Sequence, residues 1–223
     1  MSARPTLDLS VYLVLGRKDC RRHGLEEVAA RALAGGATLV QLREKDLSAE
    51  DYLDLARSLL PLLERAGIPL IVNDRVEEAV ALGAIDGRVG VHVGQDDQPA
   101  AEVRRRIGPR AVLGLSVRRP EDALAAPAEA LDHLGVGPVY TTTTKADAAA
   151  PIGPEGVAAV RAVTALPLVG IGGITVERAP EVVAAGAQGV AVVSAIAGSE
   201  DPEAATAAFA RAVRGARNQA SQT

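Results

Sequence analysis

"TLVQLREKDLSAEDYLDLARSLLPLLERAGIPLIVN", residues 38–73, decides the architecture. Two short apolar runs, "TLVQL" at 38–42 and "PLIVN" at 69–73, flank a longer segment of Ala, Leu, Glu and Arg. An unbroken apolar run of this length reads as a strand buried on both faces, as in a parallel sheet. The segment between them has helical spacing. Ser48 stands as its N-cap, with Asp51 in the place of the capping-box acid, and Gly67 ends it. Strand, helix and strand in this order form a parallel crossover unit.

The same unit recurs along the whole chain. Further apolar runs are "VYLVL" 11–15, "VGVHV" 89–93, "AVLGLS" 111–116, "HLGVGPV" 133–139, "PLVGIG" 167–172 and "GVAVVS" 189–194. Between them lie helical segments such as "GLEEVAARALAGG", "APEVVAAGAQGV" and "DPEAATAAFARAV", the last opened by Asp201 and Pro202. Eight strand–helix units predict an α/β chain folded as a single closed (β/α)8 barrel, the TIM-barrel architecture, over the alternative of an open doubly wound sheet. One domain is expected over residues 1–223, with a polar tail expected to fray from about residue 215.

Composition narrows the partners. The formal net charge is −4 and aromatic content is 2%, so neither nucleic acid nor an anionic membrane is expected as a partner. Apolar runs fall well short of the ~20 residues that span a bilayer. The N-terminal segment has only a short apolar core between Asp8 and Arg17, which does not read as a signal peptide. A lone cysteine, Cys20, rules out an internal disulfide framework and fits a reducing, cytoplasmic location.

In such barrels chemistry sits at the carboxyl ends of the strands, so the polar residues after each apolar run are the candidates. Side chains alternate along a strand, which puts Gln41, Arg43 and Lys45 on one face and Leu42 and Glu44 on the other. The outer face should be apolar under its helices, so two cations and an amide are expected to face the mouth, where they require an anion. Asn73 and Asp74 follow the third run; Asp96 and Asp97 follow the fourth. Helix caps would use the same residue types. Taken together they set carboxylates at adjacent strand ends, which suits Mg²⁺ completed by water and phosphate oxygens. His92 falls within a strand, where a structural role is expected. Ser116 ends the fifth run as a hydrogen-bonding hydroxyl, because no base is placed to make it a nucleophile. "TTTTK", Thr141 to Lys145, follows the sixth, and hydroxyls with a lysine can clasp phosphate oxygens. Gly172 and Gly173 are expected at a helix N-terminus after the seventh run, with Ser194 after the eighth, as a second phosphate cradle. "GIGGIT" fails as a dinucleotide fingerprint, since Thr175 stands where the third glycine belongs.

The segments "VQLREK", "VNDR", "GVHVGQDD", "GLS", "GPVYTTTTK", "PIG", "VGIGGIT" and "GVAVVSAI" together resemble the thiamine-phosphate synthase family, in order and spacing, from about residue 10 to 210. The resemblance implies a transferase of thiamine biosynthesis. Its substrates would be a phosphorylated pyrimidine and a phosphorylated thiazole: aminomethylpyrimidine methyl diphosphate loses pyrophosphate by a dissociative course, and the thiazole nitrogen takes its place. By motif, Gln41, Leu42, Arg43, Glu44, Lys45 and Asn73 would hold the pyrimidine diphosphate, with Ser116 and Lys145 as further contacts. Asp74 and Asp97 would be the Mg²⁺ ligands. Thr142, Thr143, Thr144, Gly173, Val193 and Ser194 would form the thiazole-phosphate site. Arg43, Lys45 and Lys145 are the expected catalytic cations. A thiazole tautomerase branch shares much of the pattern but carries a histidine two residues after the strand-5 serine; Arg118 stands there here. A phosphate-binding barrel without catalysis is the remaining alternative.

Overall fold

The computed structural model describes residues 7–142 and 149–220; Thr143, Thr144 and Lys145 lie outside the described residues. Eight strands form one closed barrel, each hydrogen-bonded in parallel to the next and β8 closing onto β1. The strands are β1 Val11–Leu15, β2 Leu39–Leu42, β3 Leu70–Asn73, β4 Val89–Val93, β5 Leu113–Val117, β6 His133–Val136, β7 Leu168–Ile171 and β8 Gly189–Val192. Helices wrap the outside: α1 Leu25–Ala34, α2 Ala49–Ala66, α3 Val76–Ala81, α4 Ala100–Ile107, α5 Pro120–Ala125, α6 Gly153–Arg161, α7 Ala179–Ala184, a short α8 Ser194–Ala197 and α9 Pro202–Ala220.

The period-2 alternation separates two cores. Val11, Leu13, Leu15, Val40 and Leu42 point outward into the layer shared with the helices. Leu9, Tyr12, Val14, Leu39, Ile71, Val112, Val169 and Ala191 fill the barrel interior. Ser48 caps α2 as the sequence predicts, accepting from the Asp51 amide at 3.1 Å while its hydroxyl donates to the Asp51 carboxylate at 2.7 Å. Asp201 likewise accepts from the Ala204 amide at the start of α9.

Three boundaries differ from the sequence reading. The sixth strand ends at Val136 rather than 139, because Pro138 has no amide hydrogen to continue the ladder. The chain is helical through Ala220 instead of fraying from 215: Ala216 is buried, and Arg217 donates to the Ser10 hydroxyl at 2.8 Å, tying α9 to the start of β1. Gly172 and Gly173 do not lie at a helix N-terminus, since α7 begins only at Ala179. At the amino-terminal base of the barrel, Arg104 of α4 pairs with Asp132 at 2.6 Å and donates to three backbone carbonyls, those of Gly108, Ala111 and Ala130. Asp132 also accepts from the Leu113 amide at 2.7 Å. Among the described residues no helix is long and apolar enough to cross a membrane.

Candidate active site

The carboxyl ends of the strands surround a hollow of about 580 Å³. Gln41, Arg43 and Lys45 face it from the end of β2, as alternation requires. Leu42 and Glu44 are not brought into it. The Leu42 side chain is buried in the outer core, and the Glu44 carboxylate turns to the β1–α1 connection, where it accepts from the Arg17 amide. Their expected contacts with substrate therefore cannot come from their side chains. Gln41 is only 4% exposed, and its amide nitrogen donates to the Tyr12 hydroxyl at 2.7 Å.

The loop carrying Arg43 and Lys45 is pinned from β3. Arg75, just past its end, donates to the carbonyl of Leu47 at 2.5 Å, pairs with Glu78 at 2.8 Å and stacks 4.7 Å over the Tyr52 ring. Sequence reading quoted "VNDR" but gave this arginine no role.

Asp74 adopts a left-handed backbone conformation with φ 62°, the one non-glycine residue to do so among those described. That turn aims its carboxylate back into the hollow, where the Asn73 amide donates to it at 2.5 Å and Lys45 lies 3.9 Å away. Asp97 approaches from the end of β4, held by the Gly94 amide at 2.8 Å. Burial, and then the nearby Asp97 carboxylate, push Asp74 up to about 6. Two carboxyl groups this close are relieved by a shared proton or by a divalent cation. The acids that meet here are a pair rather than a cluster of three, among the described residues.

Ser116 sits at the end of β5 with its hydroxyl 2.9 Å from Nε2 of His92, whose ring forms part of the floor. On the opposite wall, the β7 loop passes so close to the segment after β6 that side chains are excluded. A Cβ on Gly173 would lie 2.3 Å from the Thr141 carbonyl oxygen, and one on Gly172 2.6 Å from Pro138. Both have positive φ, 61° and 101°, so glycine is required twice over. Thr142, Val193 and Ser194 complete this wall, and Ser194 opens the short helix α8. A short extra helix after the eighth strand is a recurrent phosphate-binding element of this architecture.

The hollow thus brings together Gln41, Arg43, Lys45, Asn73, Asp74, Asp97, Ser116, Thr142, Gly173, Val193 and Ser194. It also contains Tyr12, Asp19, Gln95 and Arg118, which the sequence reading did not place there. Tyr12 was legible by alternation, and Arg118 by its position two residues past Ser116. Asp19 and Gln95 lie in connections with no periodicity to read.

Cations, paired acids and glycine-lined backbone at one rim define the class: a (β/α)8-barrel enzyme with its chemistry at the carboxyl ends of the strands. The comparisons with known proteins give the family. The profile described as thiamine monophosphate synthase matches residues 11–196. A thiamine-phosphate synthase of Roseiflexus sp. (strain RS-1) is 48% identical over 199 residues, 89% of this chain and 83% of that one. One from Moorella thermoacetica is 44% identical over 96% of this chain and 100% of that one. The solved thiamine phosphate pyrophosphorylase of Pyrococcus furiosus superposes with a TM-score of 0.82 at 32% identity, covering 94% of this chain and 97% of that one. The chain belongs to the thiamine monophosphate synthase family, a family of transferases.

Proposed function

We propose that the hollow binds 4-amino-2-methylpyrimidine-5-methyl diphosphate beside hydroxyethylthiazole phosphate and joins them into thiamine phosphate, releasing pyrophosphate. One observation carries this reading: Arg43, Lys45 and the Asp74–Asp97 pair share a rim that faces the Gly173–Ser194 wall across a single hollow. That arrangement offers one anion site for a leaving diphosphate and another for a phosphate on the incoming nucleophile.

Arg43 and Lys45 take up the charge that develops on the departing diphosphate, and Ser116 donates a hydrogen bond to it. Lys145 completes this set from the loop after β6. The backbone around Gly173 and the amides at the start of α8 hold the thiazole phosphate. This fixes the ring nitrogen over the pyrimidine methylene carbon, so that the C–O bond to diphosphate breaks and a C–N bond forms. Val193, Ile171 and Ala191 give the intervening wall apolar groups that keep water from the electron-deficient carbon. No side-chain nucleophile is needed. Asp74 and Asp97 fit Mg²⁺, which is commonly bound by one or two protein carboxylates, with water and phosphate oxygens completing its octahedron. Such an ion would supply further neutralisation of the leaving group.

Incubation with both substrates and Mg²⁺ should give thiamine phosphate and pyrophosphate in equal amounts, and neither substrate alone should give pyrophosphate at a comparable rate. A protein that binds both substrates and forms no product is a binding barrel, and the reading fails.

A further inference from the structure

Beneath the floor of the hollow lies a polar layer that the coupling chemistry does not use. His133 is fully buried at the start of β6, 5.5 Å ring to ring from His92 and edge-on to Tyr12 at 5.8 Å. His92 Nδ1 and both ring nitrogens of His133 have no hydrogen-bond partner among the described residues. Three orphaned nitrogens in one buried place are costly unless something satisfies them. Gly114, the register partner of His133, leaves the space between the rings: its missing Cβ would lie 2.4 Å from His92 Nδ1 and 2.4 Å from His133 Nε2. Two nitrogens placed so about one point are spanned by one bridging water, which is how buried polar groups without direct partners are commonly satisfied.

The other nitrogen of His92 meets Ser116 at 2.9 Å, and this contact has two forms. If His92 carries its proton on Nδ1, Ser116 must donate to Nε2 and presents only lone pairs to the hollow. If the proton is on Nε2, His92 donates to the serine oxygen, and the hydroxyl hydrogen is free to point at an anion. The second form requires a donor at Nδ1, on the side where His133 sits.

We propose that His133 is a positioning residue that, through one water beside Gly114, holds His92 as its Nε2–H tautomer and so turns the Ser116 hydroxyl hydrogen toward the bound anion. The donors then run one way: His133 Nε2–H to water, water to His92 Nδ1, His92 Nε2–H to Ser116, and Ser116 to a phosphate oxygen. No proton is transferred; the chain sets direction only. Burial holds both rings neutral by lowering His92 to about 3 and His133 to about 4, so a single tautomer can persist across the physiological range. The identity of the anion rests on the diphosphate reading above, whereas the tautomer does not.

The test is ¹⁵N NMR of the imidazole nitrogens in the ligand-free, full-length protein, with kinetics beside it. His92 should show a protonated Nε2 and an unprotonated Nδ1. His133→Phe should mix or invert the tautomer and lower kcat by about fivefold or more with KM little moved, as for a donor that matters most in the transition state. His133→Gln, which keeps a donor, should recover most of the loss. In a Ser116→Ala background His133→Phe should add nothing, a result that a purely structural role would not give. A wild-type His92 protonated on Nδ1, a tautomer indifferent to His133→Phe, or equal losses with and without Ser116 would each overturn the proposal. Should His133→Phe not fold, the wild-type spectrum and His133→Gln still decide. Should no coupling activity exist at all, the functional reading falls while the spectrum still judges the tautomer.

Discussion

The guanidinium of Arg75 donates to the backbone carbonyl of Glu44 at 3.1 Å, reaching from the start of α3 to the loop that carries the cations of β2. Together with its bond to Leu47 and its pair with Glu78, this makes Arg75 the anchor of that loop. Lysine cannot reproduce a planar fork that serves several acceptors at once. Arg75→Lys should lower kcat/KM for coupling by about tenfold or more and cost about 1–3 kcal/mol of stability. Steady-state kinetics and denaturant titration check both.

Arg43→Ala and Lys145→Ala remove charges assigned to the leaving diphosphate. Loss of one preorganised donor typically costs about 3 kcal/mol of transition-state stabilisation, a factor on the order of 10²–10³. Arg43→Ala should approach that range, and Lys145→Ala should slow coupling by at least about tenfold, both with unchanged circular dichroism. Turnover near the wild-type value in either variant would take that residue out of the site.

Asp74 is raised to about 6 by its burial and by Asp97, so the folded protein favours the protonated form. Stability from that group is present below the ordinary carboxylate range and is lost as pH rises through about 6. In chelator, Asp74→Asn should therefore gain on wild type between pH 5 and pH 7, by on the order of 1–3 kcal/mol. Mg²⁺ should raise the wild-type melting temperature more at pH 8 than at pH 5, because the cation needs both acids ionised. It should leave Asp74→Asn nearly unmoved. Chelation should also abolish coupling and added Mg²⁺ restore it; full activity in EDTA would remove the metal from the mechanism.

The two buried histidines act in the opposite direction. Both are lowered, His92 to about 3 and His133 to about 4, chiefly by desolvation. Their contribution is complete above the ordinary histidine range near 6.5 and is lost as pH falls toward the folded values. Two withheld protons correspond to about 2.7 kcal/mol per pH unit, against which Asp74 returns about half. Stability should still fall from pH 6 to pH 4.5, and His133→Phe should reduce the slope by one proton, as pH-dependent urea titrations would show.

Gly173→Ala places a methyl group against the Thr141 carbonyl at a backbone φ of 61°. The wall must shift to admit it. The KM for thiazole phosphate should rise by about tenfold, with a stability loss of about 1–3 kcal/mol, while the KM for the pyrimidine diphosphate stays close to wild type.

The fold was legible because eight apolar runs carry their own boundaries; "VYLVL" and "VGVHV" match β1 and β4 residue for residue. Alternation placed Gln41, Arg43 and Lys45 correctly on the inner face. The same rule sent Leu42 and Glu44 outward, and only the family resemblance had put them on the substrate. What the sequence withheld are contacts between distant segments. Arg75 reaching the β2 loop, the left-handed turn at Asp74 and the meeting of His92 with His133 across Gly114 all depend on closure of the barrel, which no local pattern encodes.

The Arg104–Asp132 clamp stands at the far end of the cylinder from the hollow. Heat resistance and turnover are therefore separable targets for engineering. Breaking the clamp with Asp132→Ala should cost about 3–5 kcal/mol while surviving molecules keep their catalytic constants. Reinforcing substitutions confined to that end should lengthen the working life of the catalyst without slowing it.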